Sequence, residues 1–227
     1  MIPIGDEESQ GGPFPFVNYL LIAVNVLVFL YEASMSEGAL QAFINQWGVI
    51  PTQILAGQRL ETLISAMFMH GGWLHLIGNM VFLWVFGDNI EDSLGHLGYL
   101  IFYLAGGVAA SAAHIMLNPD SSIPSLGASG AIAAVLGTFI VMYPQARIRA
   151  LIFLGIFATI TRVSALLFLG IWFVTQLLSG FASLGVNTAQ SSGVAFWAHI
   201  GGFVFGLLIG LLFRGRAYRS PYPYARF

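Results

Sequence analysis

The chain has 227 residues, 57% of them hydrophobic and only 8% charged, with a formal net charge of −2. Soluble domains carry about 25% charged residues, so this chain cannot clothe a water-facing surface, and a polytopic membrane protein is the expected class. The slightly negative balance excludes nucleic acid as an implied partner, and the absence of cysteine excludes disulfides and thiol catalysis.

Residues 1–15 carry Asp6, Glu7 and Glu8 but no Lys or Arg, unlike the positive start of a secretory signal peptide. They are expected to form a short polar tail. Six apolar segments follow, at about 16–33, 74–86, 97–117, 129–143, 163–181 and 194–213. A span needs about 20 residues, so these predict an all-α polytopic fold of six transmembrane helices over 16–213. The fourth segment is short and opens on the turn Gly127-Ala128-Ser129-Gly130. A helix that begins below the membrane surface needs its irregular lead-in buried in protein or lining a water-filled space. Residues 34–66, with Trp47 and Pro51, read as a structured first loop in the membrane interface. Residues 144–162 read as an interfacial turn. Asp88, Glu91 and Asp92 read as a solvated turn, with Gly87, Glu91 and Gly95 structural and Glu91 fixing the second and third spans. Residues 214–227 form a basic tail. No internal repeat supports an inverted-repeat transporter.

Arginine placement orients the bundle. With six spans, Arg147, Arg149, Arg162, Arg214, Arg216, Arg219 and Arg226 fall on one side and Arg59 on the other. The positive-inside rule then puts both termini in the cytoplasm. Ser129, His199, His75 and Asn79 all fall near the starts of even-numbered spans, at similar depth on the non-cytoplasmic side.

Polar groups in hydrocarbon are costly and mark function by default. Serine becomes a nucleophile beside a base, most often histidine. Ser129 lies between glycines at a helix start, where free backbone N–H groups can hold an oxyanion. Taken alone, such a serine is more often a helix N-cap. His199 lies in Ala198-His199-Ile200-Gly201-Gly202, and alone it could equally be interhelical glue. Gly202 and Gly206 match Gly130/Ala134 and Ala133/Gly137 in spacing, so close helix contact could bring Ser129 and His199 into reach. His75 and Asn79 are four apart, on one helix face, and both can donate a hydrogen bond. His70 reads as structural, holding the first loop. His96 and His114 show no partner pattern.

These residues resemble the rhomboid intramembrane serine proteases, in their short bacterial six-span form. The resemblance rests on His70-Gly-Gly-Trp-Leu-His75-Leu-Ile-Gly-Asn79, Gly127-Ala-Ser129-Gly130 and Ala198-His199-Ile-Gly-Gly202-Phe-Val-Phe-Gly206, in that order on the second, fourth and sixth spans. It implies a serine endopeptidase with Ser129 as nucleophile and His199 as general base, without a third acid. His75, Asn79 and the Ser129 N–H would line the oxyanion hole, and His70, Gly127, Gly130, Gly202 and Gly206 would support the site. It implies single-span membrane-protein substrates, a bilayer setting in a prokaryotic plasma membrane, and neither metal nor other cofactor. A Trp-Arg pair frequent in the family's first loop is replaced here by Gln58-Arg59-Leu60-Glu61. An aromatic that some members stack on the histidine is Ala133 here, leaving Phe196 or Trp197 as substitutes. The loop from about 182 to 193 would cap the site, and Trp172, Phe173 and Phe181 are candidate gate residues beside the plainer reading of lipid-facing aromatics.

Two other readings compete. A non-catalytic escort of membrane proteins would not need an intact serine and histidine. A small channel would favour intramembrane carboxylates, which the spans lack. His-Glu-x-x-His does not occur, nor do paired intramembrane aspartates, which argues against other intramembrane protease types.

Overall fold

A computed structural model describes residues 1–7, 13–154, 157–184 and 195–217. Nine helices lie among them: α1 (Phe16–Ala33), α2 (Glu37–Trp47), α3 (Pro51–Leu55), α4 (Thr62–Ser65), α5 (Trp73–Leu94), α6 (His96–Leu117), α7 (Ser129–Met142), α8 (Ala165–Leu184) and α9 (Phe196–Phe213). Four of them, α1, α6, α8 and α9, are long and apolar enough to cross a membrane. Helix α5 has 22 residues but ends in acidic turns, and α7 has only 14 residues.

The expectation of an all-helical chain is corrected by a three-stranded antiparallel sheet of β1 (Ile2–Asp6), β2 (Arg147–Leu154) and β3 (Phe157–Ser164), with β2 in the middle. Residues 2–6 are therefore a strand and not a free tail, and Ile2 faces Leu151 in the register. The segment read as an interfacial turn is a hairpin, in which Arg147 faces Ser164. Its cause is visible in β2: Ile148 and Ala150 are buried while Arg147 and Arg149 are exposed, the period of two that a half-buried strand requires. Glu7 and Arg162 form an ion pair at 2.8 Å, and the Asn89 amide donates to Asp6 at 3.0 Å, tying the sheet to α5.

Asp88, Glu91 and Asp92 do not form a solvated turn. Helix α5 runs through them and stops at Gly95, whose φ of 74° favours glycine. Glu91 is buried because it has donors to satisfy it. It accepts the backbone N–H groups of Val17 at 2.9 Å and Asn18 at 2.7 Å and pairs with His96, so His96 does have a partner. Helix α1 starts after Pro15, which offers no capping side chain, and the Glu91 carboxylate takes that place. Asn18 then donates to the Leu83 carbonyl at 3.1 Å and accepts from the Tyr99 hydroxyl at 2.9 Å. A Cβ at Gly87 would collide with the Asn18 amide.

Helix α7 is the centre of the bundle, buried along almost its whole length. Helix α9 lies directly on it. A Cβ at Gly202 would strike the Gly130 carbonyl, and one at Gly206 the Ala134 carbonyl. The Thr138 hydroxyl donates to the Gly206 carbonyl at 2.8 Å, a bond that only such close backbones permit.

Candidate active site

The segment before Ser129 is pinned from two sides. Val49 and Ser125 exchange backbone hydrogen bonds at 2.9 and 2.8 Å, and the Gly127 N–H donates to the Ala66 carbonyl at 2.8 Å. The 34–66 segment, folded as α2, α3, α4 and a 3-10 turn over Ala66–Phe68, thus braces the serine turn. Gly127 has φ 132°, a conformation disfavoured for any residue with a side chain. The space of its missing Cβ is taken by His75, whose Nε2 lies 2.9 Å from that point, with Ser129 Oγ 3.6 Å from it. One glycine therefore gathers the His75 ring and the Ser129 hydroxyl.

Ser129 Oγ and His199 Nε2 are 2.7 Å apart, across the α7–α9 contact. The other ring nitrogen, Nδ1, lies 2.8 Å from Gln176 Oε1 on α8. The Trp172 ring centroid is 5.9 Å from that of His199 at an interplanar angle of 35°. Neither Phe196 nor Trp197 takes the stacking place open at Ala133; Trp197 packs edge-on against Phe181 at 5.7 Å. Among the described residues the ring paired with His199 is that of Trp172 on α8, tilted and not stacked. Phe173 stacks on Phe203 at 4.3 Å.

His75 Nδ1 accepts the Gly71 N–H at 3.3 Å, so its neutral ring carries its proton on Nε2, the nitrogen beside Gly127. Asn79 is buried on the same helix face, and its Nδ2 donor has no hydrogen-bond partner among the described residues. Such orphans are costly and are tolerated where a ligand completes them. His70 packs edge-on against His75 at 5.0 Å, and its backbone N–H donates to Glu32 at 3.1 Å. Burial, with the neighbouring His75, pushes the His70 imidazole down to about 4. Gly130 is packed against Ala110. A cavity of about 30 Å³, lined by Ser111, Ser125, Gly127, Ser129 and Ala198, lies beside the serine and has room for a water. His114 hydrogen-bonds neither Ser129 nor His199; its backbone carbonyl accepts from the Asn118 amide at 2.9 Å.

Gln176 and the placement of Trp172 beside His199 went unread in the sequence. The available signal was an amide within a long apolar run, the kind of polar residue that faces a bundle interior. The proposed capping loop falls largely on residues 185–194, outside the described residues, as do Glu8, Arg219 and Arg226.

Comparison with known proteins places the chain in a family. Residues 57–216 match the Rhomboid domain, well over half of the chain. Among curated relatives, the chain is 32% identical to Rhomboid protease GluP of Bacillus subtilis over 130 residues, which is 56% of this chain and 24% of that protein. It is 30% identical to Rhomboid protein 1, mitochondrial, of Saccharomyces cerevisiae over 141 residues, 60% of this chain and 39% of that protein. It is 38% identical to Rhomboid-like protein 11, chloroplastic, of Arabidopsis thaliana over 69 residues, 30% of this chain and 24% of that protein. The matched regions thus span well under half of each relative's length. The chain is an integral membrane protein and belongs to the rhomboid family.

Proposed function

We propose that this protein is an intramembrane serine endopeptidase that cleaves a peptide bond in or near the transmembrane helix of a single-span membrane protein. The observation that carries the reading is the 2.7 Å contact between Ser129 Oγ and His199 Nε2, formed between two apolar helices. In this reading α1, α5, α6, α7, α8 and α9 are six spans, both termini are cytoplasmic and the dyad opens toward the non-cytoplasmic side. Residues 1–15 and 214–227 flank a catalytic domain over 16–213.

Ser129 Oγ attacks the scissile carbonyl carbon while its proton passes to His199 Nε2. The carbonyl oxygen becomes an oxyanion, held by the Ser129 N–H at the start of α7, the His75 Nε2–H and the Asn79 amide, whose Nδ2 has no partner among the described residues. The C–N bond breaks, and the leaving amine takes the proton from His199. A water, for which the cavity beside Ser129 has room, then gives a proton to His199 and attacks the acyl carbon. Collapse of that second intermediate releases the acid and returns the proton to Ser129. Gly202 and Gly206 let α9 lie close enough to α7 for the dyad to form.

The test is reconstitution with a single-span substrate, comparing wild type with Ser129→Ala and His199→Ala. Both substitutions should abolish cleavage, and a fluorophosphonate should label Ser129 and not Ser125. Cleavage that survives either substitution overturns the assignment.

A further inference from the structure

Gln176 lies on α8, one turn beyond Trp172, and presents its side-chain amide to the ring edge of His199 away from Ser129. The amide's sense is set by its neighbours. Its Nε2 has the Trp172 carbonyl at 3.4 Å and Thr175 Oγ1 at 3.3 Å as acceptors. The Thr175 hydroxyl spends its own proton on the Trp172 carbonyl at 2.6 Å, so its oxygen is free to accept. Gln176 Oε1 is then the atom that meets His199 Nδ1, and an amide oxygen can only accept. The proton must sit on Nδ1. That leaves the Nε2 lone pair facing Ser129 Oγ, which is the tautomer a general base requires. Among the described residues no carboxylate hydrogen-bonds this imidazole.

We infer that Gln176 is the positioning residue of the dyad: it selects the Nδ1–H tautomer of His199 and holds the ring toward Ser129. The inference rests on the dyad reading above. In carboxylate-containing triads the third residue fixes tautomer and orientation and also stabilises the imidazolium. Gln176 does the first part with a neutral acceptor, and the Trp172 ring beside His199 limits its rotation. Because Gln176 is on α8 and His199 on α9, the arrangement persists only while these helices keep their present alignment.

The experiment measures kcat and KM on a single-span substrate in reconstituted wild type, Gln176→Leu and Gln176→Glu, with Ser129→Ala and His199→Ala alongside. Gln176→Leu keeps the volume and removes the acceptor. It should lower kcat about tenfold or more, a part of the roughly 100- to 10,000-fold that a general base contributes, with KM changed less than about twofold. Gln176→Glu restores an acceptor and should recover kcat to within a few-fold of wild type. Nitrogen-15 spectra of the imidazoles, with His199 assigned by its loss in His199→Ala, should show an Nδ1–H tautomer in wild type and a mixture in Gln176→Leu. Activity surviving in Ser129→Ala or His199→Ala would defeat the dyad reading itself. With the dyad essential, an unchanged kcat in Gln176→Leu, an unchanged tautomer, or a loss that Gln176→Glu fails to rescue each overturns the role of Gln176.

Discussion

The carboxylate of Glu91 on α5 accepts the backbone N–H of Asn18, the third residue of α1, at 2.7 Å, and its second oxygen takes that of Val17. Two segments 73 residues apart are joined by the donors a helix leaves unpaired at its start. Glu91 is thus a cap supplied from another helix, and its charge also complements the positive end of the α1 dipole.

Replacing Glu91 with Gln puts an amide N–H where an acceptor stood. We expect Glu91→Gln to destabilise the protein by about 2–4 kcal/mol, the cost of orphaning a buried helix-end donor and removing a charge-assisted bond. Reversible unfolding in mild detergent measures this. A loss below about 0.5 kcal/mol would show that water serves these N–H groups as well as the carboxylate does.

Much of the candidate site is legible in the sequence because hydrocarbon leaves little room for idle polar groups. A serine between glycines and a histidine beside paired glycines stand out in apolar runs. The sheet was harder to see, since Ile148, Ala150 and Leu151 look like further span, yet Arg147 and Arg149 already alternated with them. Glu91 looked like part of a solvated turn because its partners, the α1 amides, are backbone atoms that carry no sequence signature. Gln176 belongs to no short motif, because its partner is 23 residues away on another helix. Tertiary pairing of single residues is what local pattern cannot carry.

The α7–α9 contact makes glycine substitutions position-dependent. A Cβ at Gly206 would strike the Ala134 carbonyl, and backbone cannot move aside as a flexible side chain can. A Cβ at Gly170, on α8, meets nothing within 4 Å. Gly206→Ala should cost about 1–3 kcal/mol by forcing the helices apart, and should slow fluorophosphonate labelling of Ser129. Gly170→Ala should be neutral or stabilising by up to about 1 kcal/mol, because alanine is the better helix former. Equal stability of the two variants would refute the close packing of α9 on α7.

His70 makes stability depend on pH. Burial, reinforced by His75, pushes its imidazole down to about 4 from an ordinary value of 6.5. The unfolded chain therefore takes up a proton near 6.5, whereas the folded chain resists until about 4. Between those values the unfolded state binds more protons, so stability is full above 6.5 and falls as the pH drops toward 4. The slope contributed by one such group is at most about 1.4 kcal/mol per pH unit, giving a total loss on the order of 3 kcal/mol. The titratable groups in contact with it are Glu32, which accepts its backbone N–H, and His75, whose ring packs against it. Unfolding free energies measured in mild detergent from pH 7 to pH 4 should show this decline in wild type. His70→Gln removes the titrating ring and should flatten the slope, even if the variant is less stable at pH 7. The same slope in both proteins would mean that the His70 ring is protonated without penalty in the folded state, and that its burial between Phe29 and His75 is not what sets the acid limit.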